Sequence, residues 1–192
     1  DSTSYFPGEV YIASSSESGT IEQRMNFINS STALLQITSN TDNGFSITGK
    51  NWNNNIQLEQ EEQTITARHP NGEIVQLTFM PDVTLTCDGK NYTAQTHAQS
   101  RQTNVAISFY FTNEELASGI QKNIALLQNP QPSLQKNANR WQSYLQKILR
   151  QDMKHEYDRI AVKSIVTLIS NWRTHREGLL HEGVIPSHAV SY

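Results

Sequence analysis

The chain has 192 residues, a net charge of −3 and a hydrophobic share of 36%. Charged residues at 17% exclude a chain disordered by charge, and no basic stripe provides the electrostatic footprint of a nucleic-acid binder. No apolar run reaches the length of a membrane-spanning helix, and a single cysteine, Cys87, excludes an intrachain disulfide and a cysteine-built zinc centre.

From residue 1 to about 110 the sequence has the period-two texture of half-buried strands. Val10-Tyr11-Ile12 opens it. Ile21, Gln23, Met25 and Phe27 then alternate with Glu22, Arg24 and Asn26. Leu34-Leu35-Gln36-Ile37 and Phe45-Ser46-Ile47 follow, and Ile56-Gln57-Leu58 is expected to pair with Thr64-Ile65-Thr66-Ala67. Ile74, Gln76, Thr78 and Met80 oppose Val75, Leu77 and Phe79, and residues 105–111 close the series. Cys87 ends the apolar stretch Val83-Thr84-Leu85-Thr86 and reads as a small core residue. Pro70-Asn71-Gly72, Asp88-Gly89 and Asp42-Asn43-Gly44 are hairpin signals, because these pairs tolerate positive φ. Short strands at regular spacing with such turns predict a mostly antiparallel β-sandwich. The abundant Asn, Gln, Ser and Thr fit strand exteriors; the same residue types also line sugar-binding surfaces.

The period then changes. Thr112-Asn113-Glu114-Glu115 fits a capping box and predicts a helix from Glu114 to about Gln128. Asn129-Pro130-Gln131-Pro132 ends it, and Ser133 is expected to cap a second helix to about residue 150. Leu134, Ala138, Trp141, Leu145, Ile148 and Leu149 form its apolar stripe. A third helix, His155–Asn171, carries Ala161, Leu168 and Trp172 on one side and Val162, Ile165 and Ile169 on another. A helix apolar nearly all round belongs inside something larger. The first residue is Asp1, and no closing element precedes Tyr192; both suggest a processed or trimmed piece of a longer protein.

Arg140-Trp141, Tyr144-Leu145, Ala161-Val162-Lys163-Ser164-Ile165, Leu168, Asn171-Trp172-Arg173 and Val184-Ile185-Pro186-Ser187 together resemble glycoside hydrolase family 63, in its bacterial α-glucosidase branch. The Asn-Trp-Arg and Pro-Ser elements are the most specific, and the likeness covers about the last quarter of the chain. It implies a β-sandwich domain followed by a helical linker and an (α/α)6 catalytic barrel. Laid on this sequence, residues 1–111 are the sandwich, 112–152 the linker and 153–192 the start of the barrel. It also implies hydrolysis of α-glucosidic bonds with inversion, by two carboxyl groups about 6.5–9.5 Å apart. Both carboxylates belong to segments beyond Tyr192, so no catalytic residue is expected in this chain. Trehalases and glucoamylases share the two-domain plan.

Arg173, His188 and Tyr192 are the expected substrate contacts. They sit where the chain leaves an inner barrel helix; Arg supplies a rigid fork of donors, and Tyr a flat face with a polar tip. An Arg anchored to a neighbouring helix and a packing His are the bland alternative. Glu177 and Glu182 read as solvated loop carboxylates. His175, His181 and His188 are spaced by six and seven residues and share no helical face, so neither a metal nor a cofactor is expected. Trp52, within Asn51-Trp52-Asn53-Asn54-Asn55, reads as a cover for the core edge, with a sugar-stacking role as the alternative. The sequons Asn29-Ser30-Ser31 and Asn91-Tyr92-Thr93 arise readily by chance in an Asn-rich chain.

The expectation is therefore a fragment of a periplasmic or secreted inverting α-glucosidase. Its partners would be an oligosaccharide, bound through the parent enzyme, and the rest of the barrel or another copy of the chain. A non-catalytic carbohydrate-binding or adhesion module is the alternative, and a purely structural scaffold the third reading.

Overall fold

A computed structural model of the chain describes residues 2–6, 8–51, 53–148, 157–158, 160–164, 172–173 and 183–184. It divides into two compact units, residues 1–138 and 139–192.

The first unit is built on an eight-stranded, fully antiparallel sheet with the order β1-β2-β3-β4-β11-β8-β7-β6. Its strands are β1 (Ser2–Phe6), β2 (Glu9–Ser16), β3 (Gly19–Phe27), β4 (Thr32–Ser39), β6 (Leu58–Glu61), β7 (Thr64–Arg68), β8 (Ile74–Phe79) and β11 (Gln102–Tyr110). A second sheet has the order β5-β10-β9, from β5 (Ser46–Lys50), β10 (Asn91–Thr96) and β9 (Val83–Cys87). Side chains alternate across a strand, so the register decides which residues share a face. Val105 pairs with Phe79 and Leu35, and Ile65 with Leu77. These odd-numbered residues meet Val83, Leu85 and Ala94 of the smaller sheet in one apolar core. The mostly antiparallel β architecture with helices that the texture predicts is thus present.

The other face of the large sheet mixes apolar and polar residues, and it is covered. It bears Thr64, Thr66, Gln76, Thr78 and Ser108, all buried. Helix α1 (Asn113–Gln128) lies against it, with Leu126 and Leu127 on Leu34 and Ala106, and Leu116 on Ile74 and Tyr110. Ser108, Thr78 and Tyr110 are bonded by Asn123 of α1, itself 2% exposed. Its Oδ1 accepts from Ser108 Oγ at 3.2 Å. Its Nδ2 donates to Thr78 Oγ1 at 3.2 Å and to Tyr110 OH at 3.3 Å. Buried polar atoms cost free energy unless bonded; this amide meets three of them, while Gln76 Nε2 donates to Thr66 Oγ1 at 3.4 Å. Gly119, one turn earlier, lets the Tyr110 ring approach the helix: a Cβ there would stand 2.0 Å from the phenol oxygen.

Thr112 caps α1 as the sequence predicts, and Glu115 reaches back to the residue before the cap. Thr112 Oγ1 accepts from Glu115 N at 3.2 Å, and Glu115 Oε2 accepts from Phe111 N at 3.0 Å. The second helix, α2 (Gln131–Ile148), starts two residues before the expected cap at Ser133. Proline is tolerated in a first turn because no intrahelical acceptor waits for its missing N–H, so Pro132 sits inside the helix and Ser133 is not its cap. In the first unit α2 places Asn137 Nδ2 3.2 Å from Gly8 O. In the second unit the Trp141 and Tyr144 rings meet edge to face, 5.9 Å apart. Residues 157–158 and 160–164 are helical, in line with the third expected helix; its continuation to Asn171 lies outside the described residues. Two short strands, β12 (Trp172–Arg173) and β13 (Gly183–Val184), pair antiparallel.

Candidate functional site

Of the three expected substrate contacts, only Arg173 falls among the described residues, as the second residue of β12. Its backbone pairs with Gly183, and Trp172 pairs with Val184. His188 and Tyr192 lie outside the described residues, as do Glu177, Glu182, His175, His181 and Trp52.

Residues that the sequence did not single out form a cleft in the first unit. Ile74 pairs with Arg68 on one side and with Tyr110 on the other, so the β7–β8 hairpin and the β11–α1 junction come together. Between them lies a depression of about 410 Å³ lined by Arg68, His69, Glu73, Ile74, Phe111 and the start of α1. Gly72 closes the hairpin at φ +96°, in the left-handed region that Asn-Gly turns need. Ile74 is the buried floor, whereas Phe111 is 49% exposed.

The polar rim is partly self-paired. Arg68 donates from Nη1 to Asn113 Oδ1 at 2.8 Å and from Nε to Glu59 Oε2 at 3.4 Å. The Arg68 guanidinium is thereby held in place, with its charge balanced by Glu59. The backbone N–H at the start of α1, followed by the Thr112 hydroxyl, holds the Glu114 carboxyl below its ordinary range. The hairpin and the capping box were each legible in the sequence, but their meeting depends on strand register, which was not. Among the described residues no group of His, Cys, Asp and Glu is arranged to hold a metal ion, and no helix is long and apolar enough to cross a membrane.

The two sequons differ in setting. Asn29 Oδ1 accepts from the backbone N and the hydroxyl of Ser31 in the exposed β3–β4 turn. Asn91 opens β10, and its amide is engaged by Asp88.

No protein-family model matches the chain, and no curated protein matches it. Among solved structures, a heparan sulfate lyase HepC mutant from Pedobacter heparinus superposes with a TM-score of 0.47 at 7% identity. The superposition covers 58% of this chain and 21% of the lyase, so the chain spans about a fifth of that protein's length. The fold described above rests on its own strands and helices.

Proposed function

We propose that the chain is the supporting part of a carbohydrate-active enzyme of the family 63 kind. In this reading residues 1–111 are its β-domain, 112–152 its helical linker and 153–192 the opening of an (α/α)6 barrel. The activity is inverting hydrolysis of terminal α-glucosidic bonds in oligosaccharides, in the periplasm or outside the cell. The remainder of the barrel, or another copy of the chain, covers the apolar helix that begins near residue 155.

The observation that carries the reading is the β12–β13 pairing. Trp172 and Val184 belong to separate stretches of the sequence that carry the resemblance, and the two residues pair with each other. In this reading Arg173, His188 and Tyr192 contact the sugar hydroxyls. An inverting site also needs an acid to protonate the leaving oxygen and a base to activate water. Those two groups come from the rest of the polypeptide.

The test is an α-glucosidase assay on the longer polypeptide, with the product anomer followed by NMR. The expected result is turnover of α-glucosides with inversion, and a kcat/KM at least about tenfold lower in Arg173→Ala, as removal of a charge-assisted contact predicts. Absence of turnover, or retention of configuration, refutes the assignment. The 192-residue chain alone is expected to hydrolyse nothing. Activity that survives repurification and disappears in Glu177→Gln or Glu182→Gln would place the chemistry inside this chain and overturn the proposal.

A further inference from the structure

The cleft between the β7–β8 hairpin and the start of α1 has no part in the proposed hydrolysis. We infer that it is a second, non-catalytic saccharide-binding subsite, in which Phe111 offers its ring to a pyranose and Glu73 and Asn113 meet the hydroxyls.

Four observations lead there. The volume, about 410 Å³, lies within the range of small-ligand pockets. Phe111 is half exposed, although burying such a ring in the protein would be favourable; an aromatic face left open on a cleft wall is a platform for an apolar ligand surface. The rim carries both signs, and the Arg68 charge is already taken up by Glu59. The Glu73 and Glu114 carboxylates on the same rim disfavour a phosphate or sulfate by like charge. The carboxylates and the Asn113 amide instead provide acceptors and donors in one place. A ligand with one apolar face and a ring of hydroxyls meets all four conditions, and a pyranose has that form. Arg68 acts as a positioning residue: its 2.8 Å bond occupies Asn113 Oδ1, so the amide NH2 is the group left to donate.

The choice of saccharide rests on the carbohydrate reading above, but the two fail separately. Maltotriose is the probe, titrated into the 192-residue chain and followed by saturation-transfer NMR and calorimetry. The expected result is weak, saturable binding that falls about tenfold in Phe111→Ala, the effect of removing one stacking partner. Phe111→Leu keeps apolar bulk without the ring and is expected to weaken binding nearly as much. Glu73→Gln preserves the shape and is expected to weaken it less. Thermal unfolding of each variant checks that the fold is retained. Absence of binding overturns the subsite and leaves the hydrolase proposal to its own assay. Binding that Phe111→Ala and Phe111→Leu leave unchanged places the sugar elsewhere and also overturns it. Binding retained in Phe111→Leu but lost in Phe111→Ala would show a general apolar contact, such as a protein partner makes, and would refute ring stacking.

Discussion

Replacing Gly119 by alanine tests the packing of α1 by the sign of its effect. In an exposed helix interior Gly→Ala stabilises by about 0.8–1.0 kcal/mol, because glycine loses more backbone freedom on folding. At Gly119 a Cβ would lie 2.0 Å from Tyr110 OH, 2.3 Å from Cζ and 2.7 Å from Cε1. All three are inside contact distance, so the ring or the helix must move. Tyr110 is 5% exposed and hydrogen-bonded to Asn123, so displacing it breaks that bond and opens its packing with Ile74 and Leu116. Overpacking of this type costs about 1–3 kcal/mol, and loss of a buried hydrogen bond about 1 kcal/mol more. After the propensity gain is subtracted, Gly119→Ala is expected to destabilise by about 1–3 kcal/mol. The assay is urea denaturation followed by circular dichroism and intrinsic fluorescence. Ser118→Ala, on the exposed side of the same helix, is the control and should stay within about 0.5 kcal/mol of the parent. Tyr110→Ala removes the obstacle, so the double variant should lose less stability than the sum of the singles. An unchanged or raised midpoint for Gly119→Ala would refute the close approach of ring and helix.

Three further outcomes are expected. Asn123→Ala removes the bonds to Ser108, Thr78 and Tyr110, of which Ser108 keeps its bond to Thr32 Oγ1, and should cost about 2–3 kcal/mol in denaturant titration, more than a typical hydrogen bond contributes. Thr112→Ala removes the α1 cap and should cost about 1 kcal/mol, with earlier amide exchange at Glu115. The Asp88 carboxyl is lowered from 3.8 to about 2, first by the Asn91 side-chain amide and then by the backbone N–H groups of Asn91 and Lys90. A depressed carboxyl stabilises the folded state above its unfolded pKa and loses that contribution as pH falls from 3.8 towards 2. In Asn91→Ala, carboxyl carbon NMR should therefore show Asp88 titrating at higher pH.

Much of the strand content was legible because Asn71-Gly72 and Asp88-Gly89 carry their geometry locally. The Thr112–Glu115 cap was legible for the same reason. Pairing with distant partners was not. Asp42-Asn43-Gly44 reads as a hairpin, yet it carries the chain from β4 in the large sheet to β5 in the small one. Strand β10 went unrecognised, since Asn91-Tyr92-Thr93-Ala94 is too polar to mark a buried strand, even though Ala94 is wholly enclosed. Gln76 and Thr78 are polar members of the Ile74–Met80 set and are 1% exposed, because α1 covers that face and its Asn123 amide bonds Thr78. Phe27 reads as one of an inward set with Ile21 and Met25, but it is 48% exposed at the end of its strand. In the cleft, Phe111 and Glu73 are 38 residues apart in numbering, and only the Arg68–Ile74–Tyr110 row joins them.

The strand order also says something about synthesis. Strand β11 lies between β4 and β8, so it alone joins the four N-terminal strands to β8-β7-β6. Until residue 110 has left the ribosome, the large sheet exists as two parts, each with a bare edge of unpaired amides and carbonyls. Such edges recruit other chains, and contacts so far apart in sequence form slowly. Strand β11 therefore closes the sheet late, and α1 follows it directly to cover the mixed face. A nascent chain stalled just before Gln102 would expose both open edges at once, which makes that stretch of synthesis the one in which a chaperone has most to protect.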